Sequence, residues 1–600
     1  MKYGVRLYRY KSRRRQRKTR AHIYIVVTVA AAVCAFFGWQ YYGSIDHYAS
    51  ADINAVAAPV PFAEPVITQS GFKTVQPVDA TKPSAFDFSW DVMKNGNIVG
   101  QYSRTQGIEF PSSSFYSQDA KYTDIKGVTT FRGNNYRNAP GFGAANVTEK
   151  KLEPIWNIST GAFDFWPMTG WKGAGWTGQP LIVQWDDSMR QIMNLYPDKK
   201  EKDGLTEIIY PTMDGKIYFM DLSDGTPTRD PIDMGFIVKG TASVDPRGYP
   251  LLYVGQGVGM SGDQSSDYSC IHIYSLIDGK EQYKYGFEAK DPFSLRDSWQ
   301  GWDASPLVAS DVDALIWTGE NGILYVFQLH ADFDESAGTV SVSPDEPVKY
   351  RYDTPRNGDD KLSGTRPDTR WYGVEDSPLA YGNYVYFTDN GGWLQCVDLN
   401  TMQPVWVQDV TDDSDATMVL EEDGPGVYLY TGSEIDKSLE TGSGAGNAYI
   451  RKINALTGEI VWEVPYLCFY EEGSNGGVIA SPVLGRGNLQ GMVFYTIART
   501  GKSKDSGLMA ALDKKTGEVV WEKGIDHFSW SSPIPVYTGD GTGYLVQCDC
   551  VGGMMLLDGV TGEVYSKISM DGNVEASPAV YNNIVVVGTR GQKIYGVRIN

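Results

Sequence analysis

Apolar residues in most of this chain fall in short β-branched and aromatic runs that alternate with polar ones and break at Gly, Asn and Asp. A period of two over four to eight residues predicts half-buried strands rather than helices. The turns between runs repeat. Leu512-Asp513-Lys514-Lys515-Thr516-Gly517-Glu518-Val519-Val520-Trp521 recurs as Asn454-Ala455-Leu456-Thr457-Gly458-Glu459-Ile460-Val461-Trp462 and as Leu557-Asp558-Gly559-Val560-Thr561-Gly562-Glu563-Val564-Tyr565. Degenerate copies start at Asp221, Ser275 and Asp398. Asp or Asn starts each turn, and Gly supplies the positive φ that closes it onto the next strand.

A second signature opens each unit: a small residue, Ser-Pro, then an apolar run. It reads Ala304-Ser305-Pro306, Asp376-Ser377-Pro378, Ala480-Ser481-Pro482, Ser531-Ser532-Pro533 and Ala576-Ser577-Pro578. Weaker versions are Gly178-Gln179-Pro180, Thr241-Ala242-Ser243 and Ala416-Thr417-Met418. Eight openings across residues 179–600 give roughly 53 residues per unit, enough for four short strands and their turns. The prediction is all-β: an eight-bladed propeller of four-stranded antiparallel blades. The last unit has room for three strands, at 577–580, 583–588 and 593–599. Leu152–Ser159, with Trp156 in the tail position, supplies the fourth and removes the free edge.

The N-terminus has a different pattern. Ten basic residues and no acid lie within residues 1–21, and an uncharged apolar run follows at 23–39 with Trp39, Tyr41 and Tyr42 at its end. That reads as a basic cytoplasmic tail (1–21), then one transmembrane signal anchor (22–42) with an interfacial aromatic belt. The expected location is therefore the cell membrane, single-pass, with the propeller extracytoplasmic. No small-x-small cleavage site follows the run, and Ser12-Arg13-Arg14-Arg15 lacks the apolar residues of a twin-arginine signal. Residues 43–84 read as an extended linker and 85–120 as an irregular extension, with Phe86, Phe88, Trp90 and Ile108 able to dock on something. The propeller occupies 121–600.

Charge narrows the partners. The formal net charge is −20, and beyond residue 21 all 73 acids face only 43 bases. An acidic body does not suit nucleic acid or anionic lipid. Six cysteines in 600 residues make no disulfide scaffold.

With the tails and openings in hand, the chain resembles the pyrroloquinoline-quinone-type (PQQ-like) β-propeller repeat family, a WD40-like architecture. Thr130-Phe131-Arg132-Gly133-Asn134-Asn135-Tyr136-Arg137-Asn138 resembles the segment that often precedes such propellers. The resemblance covers 128–600 and implies the fold. It leaves function open, since the family mixes quinoprotein dehydrogenases with non-catalytic scaffolds. A dehydrogenase implies a quinone on the axis, Ca²⁺, a catalytic Asp and usually a vicinal cysteine pair. No Cys-Cys pair occurs here, and Cys548 and Cys550 lie at the limit for a bridge. The expectation is no cofactor, with quinone and calcium kept as the alternative through Asp303, Asp376 or Glu575.

Other chemistry is sparse. The five histidines have no metal-ligand spacing. Gly257-Val258-Gly259-Met260-Ser261-Gly262 precedes a strand rather than a helix, so it reads as a hairpin loop. Asp412-Asp413-Ser414-Asp415 has calcium-like spacing without the loop Gly or terminal Glu.

The segments before each opening converge at one mouth of a propeller. Seven of 16 tryptophans fall there: Trp166, Trp171, Trp176, Trp299, Trp302, Trp371 and Trp530. The acids beside the openings are Asp303, Glu375, Asp376, Asp415 and Glu575, with Lys239, Arg366 and Arg370 as bases. Packing between blades is one use of these groups. The other is a concave site with aromatic platforms and carboxylates of raised pKa. The candidate ligand-binding set is Trp176, Lys239, Trp302, Asp303, Arg370, Trp371, Glu375, Asp376, Asp415, Trp530 and Glu575. The expected role is a ligand-binding or interaction scaffold for an envelope protein or glycan. The alternatives are a quinoprotein oxidoreductase and a polysaccharide-active enzyme.

Overall fold

The computed structural model of the chain describes residues 71–600, apart from 104–106, 117–120, 166–167, 177, 258–268, 287–289, 298, 355–356, 358–368, 437–443, 471–473 and 502. The basic tail and the proposed anchor lie outside the described residues. Among the described residues no helix is long and apolar enough to cross a membrane.

Eight antiparallel four-stranded blades form a propeller. Blade four is Leu379–Tyr381, Tyr384–Thr388, Trp393–Asp398 and Gln403–Asp409, from the axis outward. Blades one to three span 181–233, 243–286 and 307–353. Blades five to seven span 419–469, 483–525 and 534–569. Middle strands are buried on both faces because neighbouring blades cover both. Ile534, Val546 and Leu556 of blade seven, for instance, pack with Val580, Val585 and Val597 of blade eight. Outer strands alternate buried with exposed positions. Blade eight takes its outer strand from Leu152–Ser159, which pairs with Lys593–Ile599 as the repeat arithmetic requires.

The turn motif and the tail Trp turn out to be one device. Trp462 of blade five donates its indole N–H to Lys514 O in the Gly517 turn of blade six (3.1 Å), and Trp406 of blade four meets Ala455 O beside Gly458 (2.9 Å). Both glycines have φ near +75–80° (75° and 79°), and a Cβ on either would sit 2.8 Å from the indole. Each tail therefore clamps the next blade's turn, and only Gly satisfies both the backbone and the ring.

Three features depart from the sequence reading. The expected linker is docked from residue 71 onward: Phe72 stacks on Tyr381 (5.2 Å), and Thr81 donates to Thr457 O (2.5 Å). Ser89–Lys94 adds a fifth strand to blade three against Val348–Asp353, and Asn97–Val99 adds a sixth. Phe88 on Tyr352 and Phe86 on Trp393 fix that edge. Blade three also carries an inserted hairpin, Asp332–Asp334 with Thr339–Ser341.

The 130–138 segment fills the axis. Arg132 donates to Pro482 O (2.5 Å), Pro533 O (3.3 Å) and Arg137 O (3.1 Å). Arg137 donates to Ser305 O (2.7 Å) and Pro378 O (2.8 Å). Both guanidiniums are fully buried, and burial lowers each to about 9, so both stay charged at neutral pH. Carbonyls of the opening motifs from blades three, four, six and seven thus converge on one short segment.

Candidate functional site: the acidic blade openings

The openings share one hydrogen-bond register, which makes positions in different blades comparable. The backbone N–H at the opening Ser position donates to the next blade's hydroxyl: Gln179 to Thr241 (2.8 Å), Ser305 to Ser377 (2.9 Å), Ser377 to Thr417 (2.8 Å) and Ser532 to Ser577 (3.3 Å). Two residues earlier stand Lys239, Asp303, Glu375, Asp415, Trp530 and Glu575, one per blade. A second bond fixes the loop after each second strand. Glu320 N–H donates to Gly301 O, Asn390 to Gly373 O, Glu434 to Asp413 O and Arg590 to Asn573 O (2.8–3.0 Å). These four blades therefore each present a pair: Asp303 with Glu320, Glu375 with Asn390, Asp415 with Glu434, Glu575 with Arg590.

At blade three the two carboxylates face Lys239 from blade two. Lys239 forms an ion pair with Asp303 and lies 4.0 Å from Glu320. Arg296 donates to Glu320 O (2.6 Å) and lies 3.6 Å from its carboxylate. All three members of the cluster are buried, Lys239 with 4% exposure. Burial alone would lower Lys239, but the charges of Asp303, Glu320 and Glu375 outweigh it and hold the ammonium above its ordinary value. Burial raises both acids, Glu320 to about 8, against the opposing pull of Lys239.

Tryptophans wall this ammonium. Trp176 and Trp299 lie 5.2 and 5.9 Å from Lys239 Nζ, and Trp530 packs edge-on to Trp176 at 5.6 Å. Trp299 is 40% exposed. Trp176 and Trp299 both hold left-handed backbone, φ 43° and 60°. That conformation costs a bulky residue on the order of 1–3 kcal/mol. Glu575 accepts from Trp176 N–H (3.2 Å) and Asn573 (2.7 Å), with Arg590 3.6 Å away.

At blade five Asp413, Asp415 and Glu434 each bring an oxygen within 4.8 Å of the others. Burial raises all three well above the carboxylate range, and neighbouring acids add to it. Glu375 acts on both clusters, on Asp303 and Glu320 on one side and on Asp413 and Asp415 on the other. The raised values expected from crowding thus arise first from burial.

Four candidates belong elsewhere. Trp302 is interior, packed on Tyr325 (4.8 Å) and Trp317 (5.8 Å), because its neighbour Asp303 takes the mouth-facing position. Trp371 is buried with Arg370 4.4 Å from its ring, in the loop before blade four, and Arg370 is felt by Asp436. Asp376 is fully buried and accepts from Thr388 Oγ1 (2.8 Å) and N–H (3.1 Å). It occupies the small-residue position filled by Ala304, Ala416 and Ala576 in other openings, which is the signal that separates it from Glu375. Glu320 and Glu434 were missed in the sequence; their mark is a Glu just past a Thr-Gly strand end, after Thr318-Gly319 and Thr431-Gly432.

Asp303, Glu320 and Glu375 also bring oxygens within 4.8 Å of one another, and each acid of the quinone alternative already has a partner. Asp303 is engaged by Lys239, Asp376 by Thr388, and Glu575 by Trp176 and Asn573. Cys270, Cys396, Cys468 and Cys548 are buried free thiols, and Cys550 is a half-buried one.

A family model described as outer membrane protein assembly factor BamB matches residues 504–600. No curated protein matches the chain. Among solved structures, it is similar to quinohemoprotein alcohol dehydrogenase ADHIIG from Pseudomonas putida HK5, with 13% identity, TM-score 0.49, and 79% of this chain and 80% of that one covered. It is similar to BamB from Moraxella catarrhalis, with 15% identity, TM-score 0.41, and 70% and 98% covered. A computationally designed protein, Ika8, shares 14% identity at TM-score 0.40, with 66% and 93% covered. At these identities none of them bears on activity.

Proposed function

We propose that this PQQ-like β-propeller repeat protein is a non-catalytic binding scaffold of the cell envelope, held to the membrane by residues 22–42 and presenting its mouth to a protein or glycan partner. The observation that carries this is the aromatic wall. Trp176 and Trp299 are kept half-exposed or exposed in strained backbone around Lys239, Trp176 resting on Met213, Phe236 and Ile237. Strained backbone gathers at ligand-binding sites, and aromatic faces around a charge suit recognition. The assembly-factor description attached to residues 504–600 agrees with a scaffold.

A quinoprotein dehydrogenase is the second reading, placed lower by the engaged state of Asp303, Asp376 and Glu575. A polysaccharide-cleaving site needs two carboxyls flanking open space, whereas Asp303 and Glu320 are buried against Lys239.

The test is a paired substitution, Trp299→Ala with Trp530→Ala, in the full chain. Crosslinking and affinity capture from its own envelope, alongside a glycan-binding panel, should lose the wild-type partner or glycan. If every partner and glycan bound by the wild type is retained, the mouth is not the working surface. Stoichiometric heat on titration with pyrroloquinoline quinone and calcium chloride would instead move the dehydrogenase reading first.

A further inference from the structure

Three of the acidic openings carry a counter-group, and among the described residues none is paired with the three acids at the fourth. Glu575 faces Arg590, Glu375 accepts from Asn390 (3.0 Å), and Asp303 with Glu320 faces Lys239. At blade five the register puts Asp415 and Glu434 in the places of Asp303 and Glu320, and a third acid, Asp413, where blade three has Gly301. The ring position of the preceding blade, which is Lys239 for blade three, is Glu375 for blade five. The charges acting most on Asp413 and Asp415 are carboxylates: Glu375, Asp412, Glu434 and Asp436. Arg370 acts on Asp436, the neighbouring acid of this group.

The side chains are built inward. Glu434 and Asp413 are 0% and 4% exposed. Oε1 of Glu434 and Oδ1 of Asp413 and of Asp415 are buried with no donor from another side chain or the backbone among the described residues, so the one hydrogen bond in the cluster is a carboxyl–carboxylate contact between Asp415 and Glu434. Asn475 donates to the other Glu434 oxygen (2.9 Å) and so fixes that carboxylate from outside the cluster. An unpartnered buried carboxylate costs several kcal/mol, and three together cannot all ionise unless positive charge enters.

We propose that Asp413, Asp415 and Glu434 form a binding site for one divalent cation of the calcium type. Ligand oxygens about 2.4 Å from a calcium ion lie at most about 4.8 Å apart, and these three meet that limit. The donors are all hard oxygens, with no imidazole or thiolate among them, which favours calcium over zinc. The ion would occupy in blade five the place that the Lys239 ammonium takes in blade three. This goes beyond the mouth reading and does not depend on it.

The test is equilibrium dialysis of the metal-free full chain against calcium chloride, with thermal melts alongside. Wild type should take up one calcium per chain, and millimolar calcium should raise Tm by about 3 °C. Glu434→Gln and Asp413→Asn should each weaken uptake at least tenfold. Glu522→Gln, on an outer strand, should bind as wild type. Glu375→Lys supplies the missing ammonium by the register and should fold without taking up calcium. No calcium bound by wild type at millimolar concentration would overturn the proposal, as would Asp413→Asn or Glu375→Lys binding like wild type. Should Glu434→Gln fail to fold, those two variants carry the same decision.

Discussion

Blades three and five place the same two acids in the same register and give them opposite surroundings. Glu375 of blade four borders both clusters, but Asp303 and Glu320 also enclose an ammonium delivered by blade two, whereas Asp415 and Glu434 meet a third acid, Asp413. The repeat therefore decides where an acid stands, and the residue one blade back decides what the acid does. A buried carboxylate with an adjacent cation is a structural ion pair; the same group without one takes up protons or recruits a cation. Symmetry of the fold thus generates sites, and its breakage at single ring positions, Lys239 against Glu375, differentiates them.

The largest expected effect comes from erasing that difference. Lys239→Met leaves Asp303 and Glu320 buried without the ammonium, and removing one partner of a buried pair costs about 3–5 kcal/mol. Urea denaturation at neutral pH should show the loss, and calcium chloride should restore part of it, because blade three would now resemble blade five. An unchanged urea midpoint would mean that the ammonium does not hold the cluster, and the contrast between the two blades would collapse.

A smaller effect separates charge from packing within blade three. Glu320 titrates near 4.5 when unfolded and is raised to about 8 by burial, with Lys239 and Arg296 opposing and Glu375 and Asp303 adding to the shift. Between those values the folded chain holds the extra proton, so stability falls as pH rises through the window. Glu320→Gln removes that dependence. Its denaturation midpoint should match wild type near pH 5 and exceed it at pH 8, by on the order of 2 kcal/mol after allowing for the coupled neighbours. Parallel pH profiles for the two proteins would show that Glu320 stays ionised throughout.

The contrast also marks how far the sequence could be read. Blade number, the closing strand Leu152–Ser159 and the tail tryptophans were legible because turns and strand periods are local. The ring of Lys239, Asp303, Glu375, Asp415 and Glu575 was legible for the same reason, since each sits at a fixed distance from an opening. Glu320 and Glu434 were not, because they come from the far end of the second strand, and the bonds from their N–H groups to the Gly301 and Asp413 carbonyls that bring them to the ring join residues about twenty apart in sequence. Asp376 and Trp302 misled because adjacent residues in an extended segment point oppositely, so proximity in sequence to Glu375 or Asp303 says nothing about facing the mouth. That Phe86 and Phe88 dock was legible, but not where, because their partners Trp393 and Tyr352, like Tyr381 under Phe72, lie hundreds of residues away.

The smallest effect is expected at the remaining acidic opening, and it calibrates the other two. Glu575 occupies the same ring position as Asp303 and Asp415, yet it is half-buried, 3.6 Å from a half-buried Arg590, and it accepts from Trp176 N–H and Asn573. Glu575→Gln keeps an acceptor for one of the two hydrogen bonds, which reach different carboxylate oxygens, and removes a water-screened charge, so the loss should stay at about 1–2 kcal/mol, below that of Lys239→Met. Urea denaturation in low and high salt checks this: the variant should fall slightly below wild type in both, and the gap should narrow at high salt as the charge term is screened. A loss as large as that of Lys239→Met would show that burial is not what divides these clusters. The ring position itself would then be sensitive to charge in every blade, and the distinction between a filled and a cation-requiring opening would have to be drawn from the loops instead.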